Sequence, residues 1–79
     1  MARVLLFGRL ADVAGWRERQ VDCISIRTLR DLLAAEDEAL GQALAGKGIQ
    51  VALDQAIVRG DASLTAKSEV AFLPPMSGG

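Results

Sequence analysis

Apolar residues run without interruption from Val4 to Phe7 and stop at Gly8, which predicts a strand over 3–7, buried on both faces and near the centre of a sheet. Leu10 to Ala14 has the length of one helical turn, ended by Gly15. Trp16 to Ile24 then alternates imperfectly between apolar and polar, as a second strand paired with the first would. The most regular helical stripe comes next. Leu29, Leu32 and Leu33 stand at i, i+3 and i+4 behind Thr28, whose hydroxyl is placed as an N-cap with Asp31 three residues on. Ala34 and Ala35 extend this helix to the acidic run Glu36-Asp37-Glu38. A shorter helix is predicted over 37–45, with Leu40 and Leu44 one turn apart and Gly46-Lys47-Gly48 as its stop. Residues 49–53 and 56–58 read as short strands joined by the two-residue turn Asp54-Gln55. Gly60-Asp61 opens a turn that runs to Lys67. Residues 69–73 form a last strand, ended by Pro74-Pro75 because proline cannot donate to a sheet ladder.

Two strands, a helical crossover and three further strands predict the α+β class: a β-grasp (ubiquitin-like) mixed sheet of about five strands with helices on one face. The first and last strands are the most continuously apolar, so they belong side by side in the middle. The long connection between them permits a parallel pairing. Alternation assigns the faces. With Val4, Leu6, Val51, Leu53, Val58, Val70 and Phe72 toward the helices, Leu5, Phe7, Ile57, Ala71 and Leu73 point the other way. Too little chain remains to cover that side, and clustered exposed apolar residues mark a partner-binding surface.

Composition narrows the chemistry. The 79 residues suit one domain, 1–79, with an extended C-terminal segment over 74–79. Nine basic and ten acidic residues leave a formal charge of −1, and the arginines at 3, 9, 17, 19, 27 and 30 are spaced singly. That is the spacing of solvated faces, and no nucleic-acid partner is expected. No apolar run approaches the length of a membrane span or a signal-peptide core, so neither membrane partner nor export is expected and the cytoplasm is the default. Cys23 is the only cysteine, which rules out a disulfide within the chain. Histidine and tyrosine are absent. Without them the chain lacks the groups most used for general-base catalysis, activated nucleophiles and zinc sites, and a self-contained active site is not expected.

The remaining feature is the end of the chain, Pro74-Pro75-Met76-Ser77-Gly78-Gly79. Two prolines favour an extended spacer, and six such residues reach about 20 Å from the strand. Gly78 and Gly79 carry no side chains, so the backbone can enter a narrow tunnel. A free carboxylate there is an anion at neutral pH and a poor electrophile. Adenylation by an ATP-using partner would make it an acyl donor. A persulfide would then leave a thiocarboxylate, and an amine or enzyme thiol would lead toward conjugation. Spacing alone does not choose the nucleophile.

The stretch from Glu69 to Gly79, an acid, Val-Ala, Phe-Leu, Pro-Pro, Met-Ser and Gly-Gly, resembles the closing pattern of the MoaD family, the small sulfur-carrier subunits of molybdopterin synthase. Val4-Leu5-Leu6-Phe7, the leucine-rich helix from Thr28, and Val51-Ala52-Leu53-Asp54-Gln55 are similar too, so the resemblance spans the chain. It implies that a MoeB-like, ubiquitin-activating-like adenylyltransferase activates Gly79 with ATP. A persulfide donor then converts it to a C-terminal 1-thioglycine. It further implies that the tail, with Gly78, Ser77 and Met76, inserts into a MoaE-like large synthase subunit. There sulfur passes to cyclic pyranopterin monophosphate (precursor Z) to form molybdopterin in the biosynthesis of molybdenum cofactor. The family's contact surface falls on Phe7, Ile57 and Leu73, the implied assembly is a heterotetramer, and no bound cofactor is implied. Two departures bear on turn geometry and partner orientation: Asp54 stands where relatives often have Asn, and Lys67-Ser68 replaces a more usual Gly-Asp or Gly-Glu.

Competing readings are a ubiquitin-like modifier, a structural binding module, and a thiamine-pathway carrier related to ThiS, which the Phe72-Leu73-Pro74-Pro75 pattern disfavours. Cys23 could serve as a persulfide carrier, but it has no neighbouring histidine or lysine to lower its pKa and reads as a small buried hydrophobe. Trp16 and Arg17 could contact a partner, but Trp16 reads first as an edge-strand aromatic packed on the domain. Arg9 is either a solvated loop charge or a partner for an acidic surface.

Overall fold

A computed structural model describes residues 1–75. Its elements are β1 (Ala2–Leu6), α1 (Arg9–Ala14), β2 (Glu18–Val21), α2 (Ile26–Glu36), α3 (Glu38–Leu44), β3 (Gln50–Leu53), β4 (Ala56–Val58) and β5 (Glu69–Leu73). The five strands form one sheet in the order β2-β1-β5-β3-β4. β1 and β5 lie parallel at its centre, Val4 opposite Val70 and Leu6 opposite Phe72, and the other three pairings are antiparallel. This is the β-grasp arrangement that the strand order and the two apolar end strands predict.

The core lies between the sheet and the helices. Val4, Leu6, Val51, Val70 and Phe72 meet Leu10 from α1, Ile26, Leu29 and Leu33 from α2, and Leu40 and Leu44 from α3. Burying a side chain such as Leu29 or Phe72 contributes about 1.5–3 kcal/mol. Leu53 and Val58 share this face but are only partly buried, because β3 and β4 lie toward the sheet's edge.

Three local expectations need correction. β1 is not buried on both faces: Leu5 is half-buried, and Phe7, just past the strand, is 46% exposed. The helices cover only one side. Helix α2 starts earlier than the Thr28 cap predicts. Extended Ser25 is the N-cap, its Oγ accepting the Thr28 N–H at 3.1 Å, so Thr28 donates to the cap instead of providing it, and its own hydroxyl meets Ser25 Oγ at 2.9 Å. The earlier start brings Ile26 into the buried stripe with Leu29 and Leu33 and leaves Leu32 half-buried. β2 is also shorter than residues 16–24, and Trp16 packs partly buried beside the core, outside the strand, with the Arg19 guanidinium 5.1 Å above its ring.

The turn between β3 and β4 has positive φ at both central residues, 51° at Asp54 and 72° at Gln55. That matches the right-handed twist of a two-residue hairpin. Asp37 caps α3 by accepting the Leu40 N–H at 3.1 Å, as the predicted start of that helix requires.

Candidate functional site

The sheet topology determines where the tail leaves. β1 runs parallel to β5, so its C-terminal end lies beside the end of β5, and antiparallel β3 brings its first residue to the same edge. Pro74 and Pro75 therefore emerge between the loop that follows β1 and the loop that precedes β3. Gly8 borders Pro74 on one side and Gly48 borders Pro75 on the other. Arg9 and Lys47 flank a cleft there whose apolar lining includes Leu10, Ala43 and Ile49. Met76, Ser77, Gly78 and Gly79, the residues assigned to insertion and sulfur transfer, lie outside the described residues.

Phe7, Ile57 and Leu73 lie on the helix-free face, as alternation requires. Glu18, Leu5, Ala71, Ala52 and Ile57 stand in successive register across the sheet from β2 to β4. The two central alanines are buried and Ile57 is 52% exposed. At an inter-strand spacing of about 4.8 Å, Ile57 stands about 10 Å from the β5 axis and about 14 Å from β1. The result is a shallow trough with an alanine floor, Leu5, Phe7 and Leu73 on one side and Ile57 on the other. Phe7 and Leu73 are drawn together by the Phe7 N–H, which donates to the Phe72 carbonyl at 3.3 Å. Ile57 belongs to the same face but not to that pair.

The far end of this face is charged. Arg3 donates to Glu18 at 2.9 Å and lies 3.8 Å from Glu69, and the Glu18 carboxylate is the main cause holding the guanidinium above its ordinary pKa. Arg3 and Glu18 are about half exposed and Glu69 is partly buried, so the pairs add little stability and mainly separate a polar end from an apolar end beside Pro74.

Cys23 sits at the opposite pole, near Met1 and Leu64. Burial, then Asp22, pushes its thiol pKa up, and Sγ lies 3.7 Å from the Val21 carbonyl. A raised pKa lowers the thiolate fraction needed for persulfide chemistry. The reading of Cys23 as a packing residue agrees with this, although it is half-buried rather than fully enclosed. Arg9 is exposed at the start of α1 and makes no ion pair among the described residues.

Gly8 and Gly48 are absent from the sequence-level site. Both read there only as element stops, since nothing local shows that each would meet a distant proline; the pairing emerges only once β1, β5 and β3 are aligned. No helix among the described residues is long and apolar enough to cross a membrane.

Residues 4–79 match the ThiS family. Along its whole length the chain is 33% identical to the full molybdopterin synthase sulfur carrier subunit of Escherichia coli (strain K12). The crystal structure of small archaeal modifier protein 1 from Haloferax volcanii superposes with a TM-score of 0.86 at 29% identity, covering 99% of this chain and 98% of that one. The solution structure of small archaeal modifier protein 1 from Methanosarcina acetivorans also gives 0.86, at 21% identity over 99% and 95% of the two chains, which is a likeness of fold.

Proposed function

The chain belongs to the ThiS family, among ubiquitin-fold proteins of the ThiS/MoaD-like sulfur-carrier group, and from that membership we propose that it is the sulfur-carrier subunit of a molybdopterin synthase. The observation that carries the reading is the full-length likeness to the Escherichia coli subunit, in a chain whose closing strand leads through Pro-Pro to Gly-Gly.

In this reading the Gly79 carboxylate attacks the α-phosphorus of ATP on a MoeB-like enzyme and releases pyrophosphate. The terminal sulfur of a persulfide displaces AMP from the acyl carbon, and a second thiol cleaves the resulting acyl disulfide to leave the thiocarboxylate. The loaded tail enters a MoaE-like subunit and gives its sulfur to cyclic pyranopterin monophosphate. The trough around Phe7, Leu73 and Ile57 supports such docking, because its apolar end adjoins the tail root. Gly79 supplies the reacting group, and the partners supply the catalytic side chains.

The test is reconstitution with the activating enzyme, a persulfide donor, the large subunit and the pterin precursor. Intact-mass spectrometry should show one oxygen of the chain exchanged for sulfur, and dithiolene should form. Equal dithiolene formation by a chain lacking Gly79 would sink the mechanism.

The likeness to the Haloferax volcanii modifier, at 29% identity over nearly the whole chain, favours a second reading: a protein modifier joined through the same terminus. It predicts isopeptide-linked conjugates that disappear when Gly79 is deleted.

A further inference from the structure

We propose that Gly8 and Gly48 are positioning residues that aim the C-terminal segment by clamping its two prolines from opposite sides. The proposal rests on the reading of that segment as the reacting tail.

Each glycine is required by its surroundings as well as by its backbone. Gly8 has φ 55° and ψ −132°, a conformation open essentially to glycine alone, and a Cβ built on it would stand 3.0 Å from Pro74 Cγ. Gly48 has φ 83°, and a Cβ there would stand 2.7 Å from Pro75 Cβ and 3.4 Å from its Cγ. The overlap at Gly48 is with an atom next to the backbone, so relief requires moving the tail itself. By contrast, Gly15 and Gly60 have φ of 82° and 78° with nothing within 4 Å of the Cβ position.

The clamp sits where it controls direction. β1 and β3 flank β5, and the loops carrying Gly8 and Gly48 flank the point where β5 ends. Proline fixes its own φ near −65°, so two successive rings transmit the angle set at their base with little loss. The reacting carboxylate lies beyond Pro75, so the direction in which Pro75 leaves the sheet sets where the rest of the segment starts. Misplacement by about 1 Å can cost about a hundredfold in rate.

The experiment compares full-length variants as substrates of the adenylating enzyme in ATP–pyrophosphate exchange. Gly48→Ala is expected to lower kcat about tenfold with KM changed less than about twofold, because the docking face is untouched while the carboxylate is misaimed. Gly15→Ala and Gly60→Ala carry the same backbone strain without the overlap and should retain wild-type kcat. Pro75→Gly removes the struck atom, so Gly48→Ala with Pro75→Gly should turn over no more slowly than Pro75→Gly alone. Equal kcat for Gly48→Ala and Gly15→Ala would overturn the proposal, as would full multiplicative loss in the double variant. The free protein gives a separate readout. Nuclear Overhauser contacts between the Gly48 α protons and the Pro75 ring should be present in the wild type and Gly15→Ala and lost in Gly48→Ala. If the wild type supports no exchange, the sulfur-carrier reading falls and these contacts alone decide the clamp, their absence from the wild type counting against it.

Discussion

Asp54 and Glu69 hold each other through two hydrogen bonds: the Asp54 N–H donates to the Glu69 carbonyl at 2.8 Å, and Asp54 Oδ1 accepts the Glu69 N–H at 2.9 Å. The hairpin turn is thereby tied to the first residue of β5. Asp54 also occupies a positive-φ position that Asp and Asn tolerate better than Ala. Asp54→Ala is expected to lower unfolding free energy by about 1–2 kcal/mol, from a lost hydrogen bond and left-handed strain. Asp54→Asn keeps both features and should stay within about 0.5 kcal/mol of the parent in urea denaturation.

The α2–α3 contact sets opposing effects against each other at Gly41. Alanine there gains about 1 kcal/mol of helix propensity, but its Cβ would stand 2.6 Å from Ala34 Cβ and 2.8 Å from Ala34 Cα. Backbone must move, and overpacking costs about 1–3 kcal/mol. Gly41→Ala should therefore lower the denaturation midpoint, and adding Ala34→Gly should recover part of the loss. A more stable Gly41→Ala protein would show that the helices separate at no cost.

Asp61 gives a pH signature. Its Oδ1 accepts the N–H groups of Arg27 and Ala62, each at 2.9 Å, and the Arg27 bond is the leading cause holding the carboxyl below its ordinary pKa. A carboxyl depressed in the folded state stabilises fully above its unfolded pKa of about 3.9, and that contribution is lost as pH falls through the lower folded value. Carbon-detected NMR titration should find the Asp61 midpoint below that of an unfolded aspartate. Asp61→Asn should narrow the stability difference between neutral and acid solution.

On the helix-free face, Phe7→Asp and Ile57→Asp test docking apart from folding, because both side chains are about half exposed. If the proposed MoaE-like subunit is the partner, each should raise its dissociation constant by at least about tenfold while changing stability by less than about 1 kcal/mol. Calorimetric titration paired with thermal unfolding separates the two effects. Leu73 is a poorer probe, being half-buried in the central strand.

The fold was legible because its signals are local and agree with one another. The Val4-to-Phe7 run, the leucine stripe of α2, the Asp54-Gln55 turn and the proline stop each mark an element, and only a parallel β1–β5 centre buries both end strands. Phe7, Ile57 and Leu73 share a face for the same reason, since period-two alternation survives any error of pairing that preserves parity. What sequence reading missed depends on contacts between distant residues or on a choice between adjacent hydroxyls. Ser25 and Thr28 are both competent caps, and only the need to bury Ile26 decides between them. The Gly48–Pro75 approach follows from sheet order and leaves no periodic trace.

The parallel pairing of β1 with β5 has a consequence for synthesis. β1 emerges first but cannot acquire its inner neighbour until every other strand and helix has been made, so the central ladder closes last in translational order. A chain interrupted before Phe72 lacks the end of β5 that pairs with Leu6 of β1 and with Gln50 and Val51 of β3, and with it Leu73 of the trough. The surface proposed for partner docking is thus complete only after β5, the last strand of the sheet, has been made.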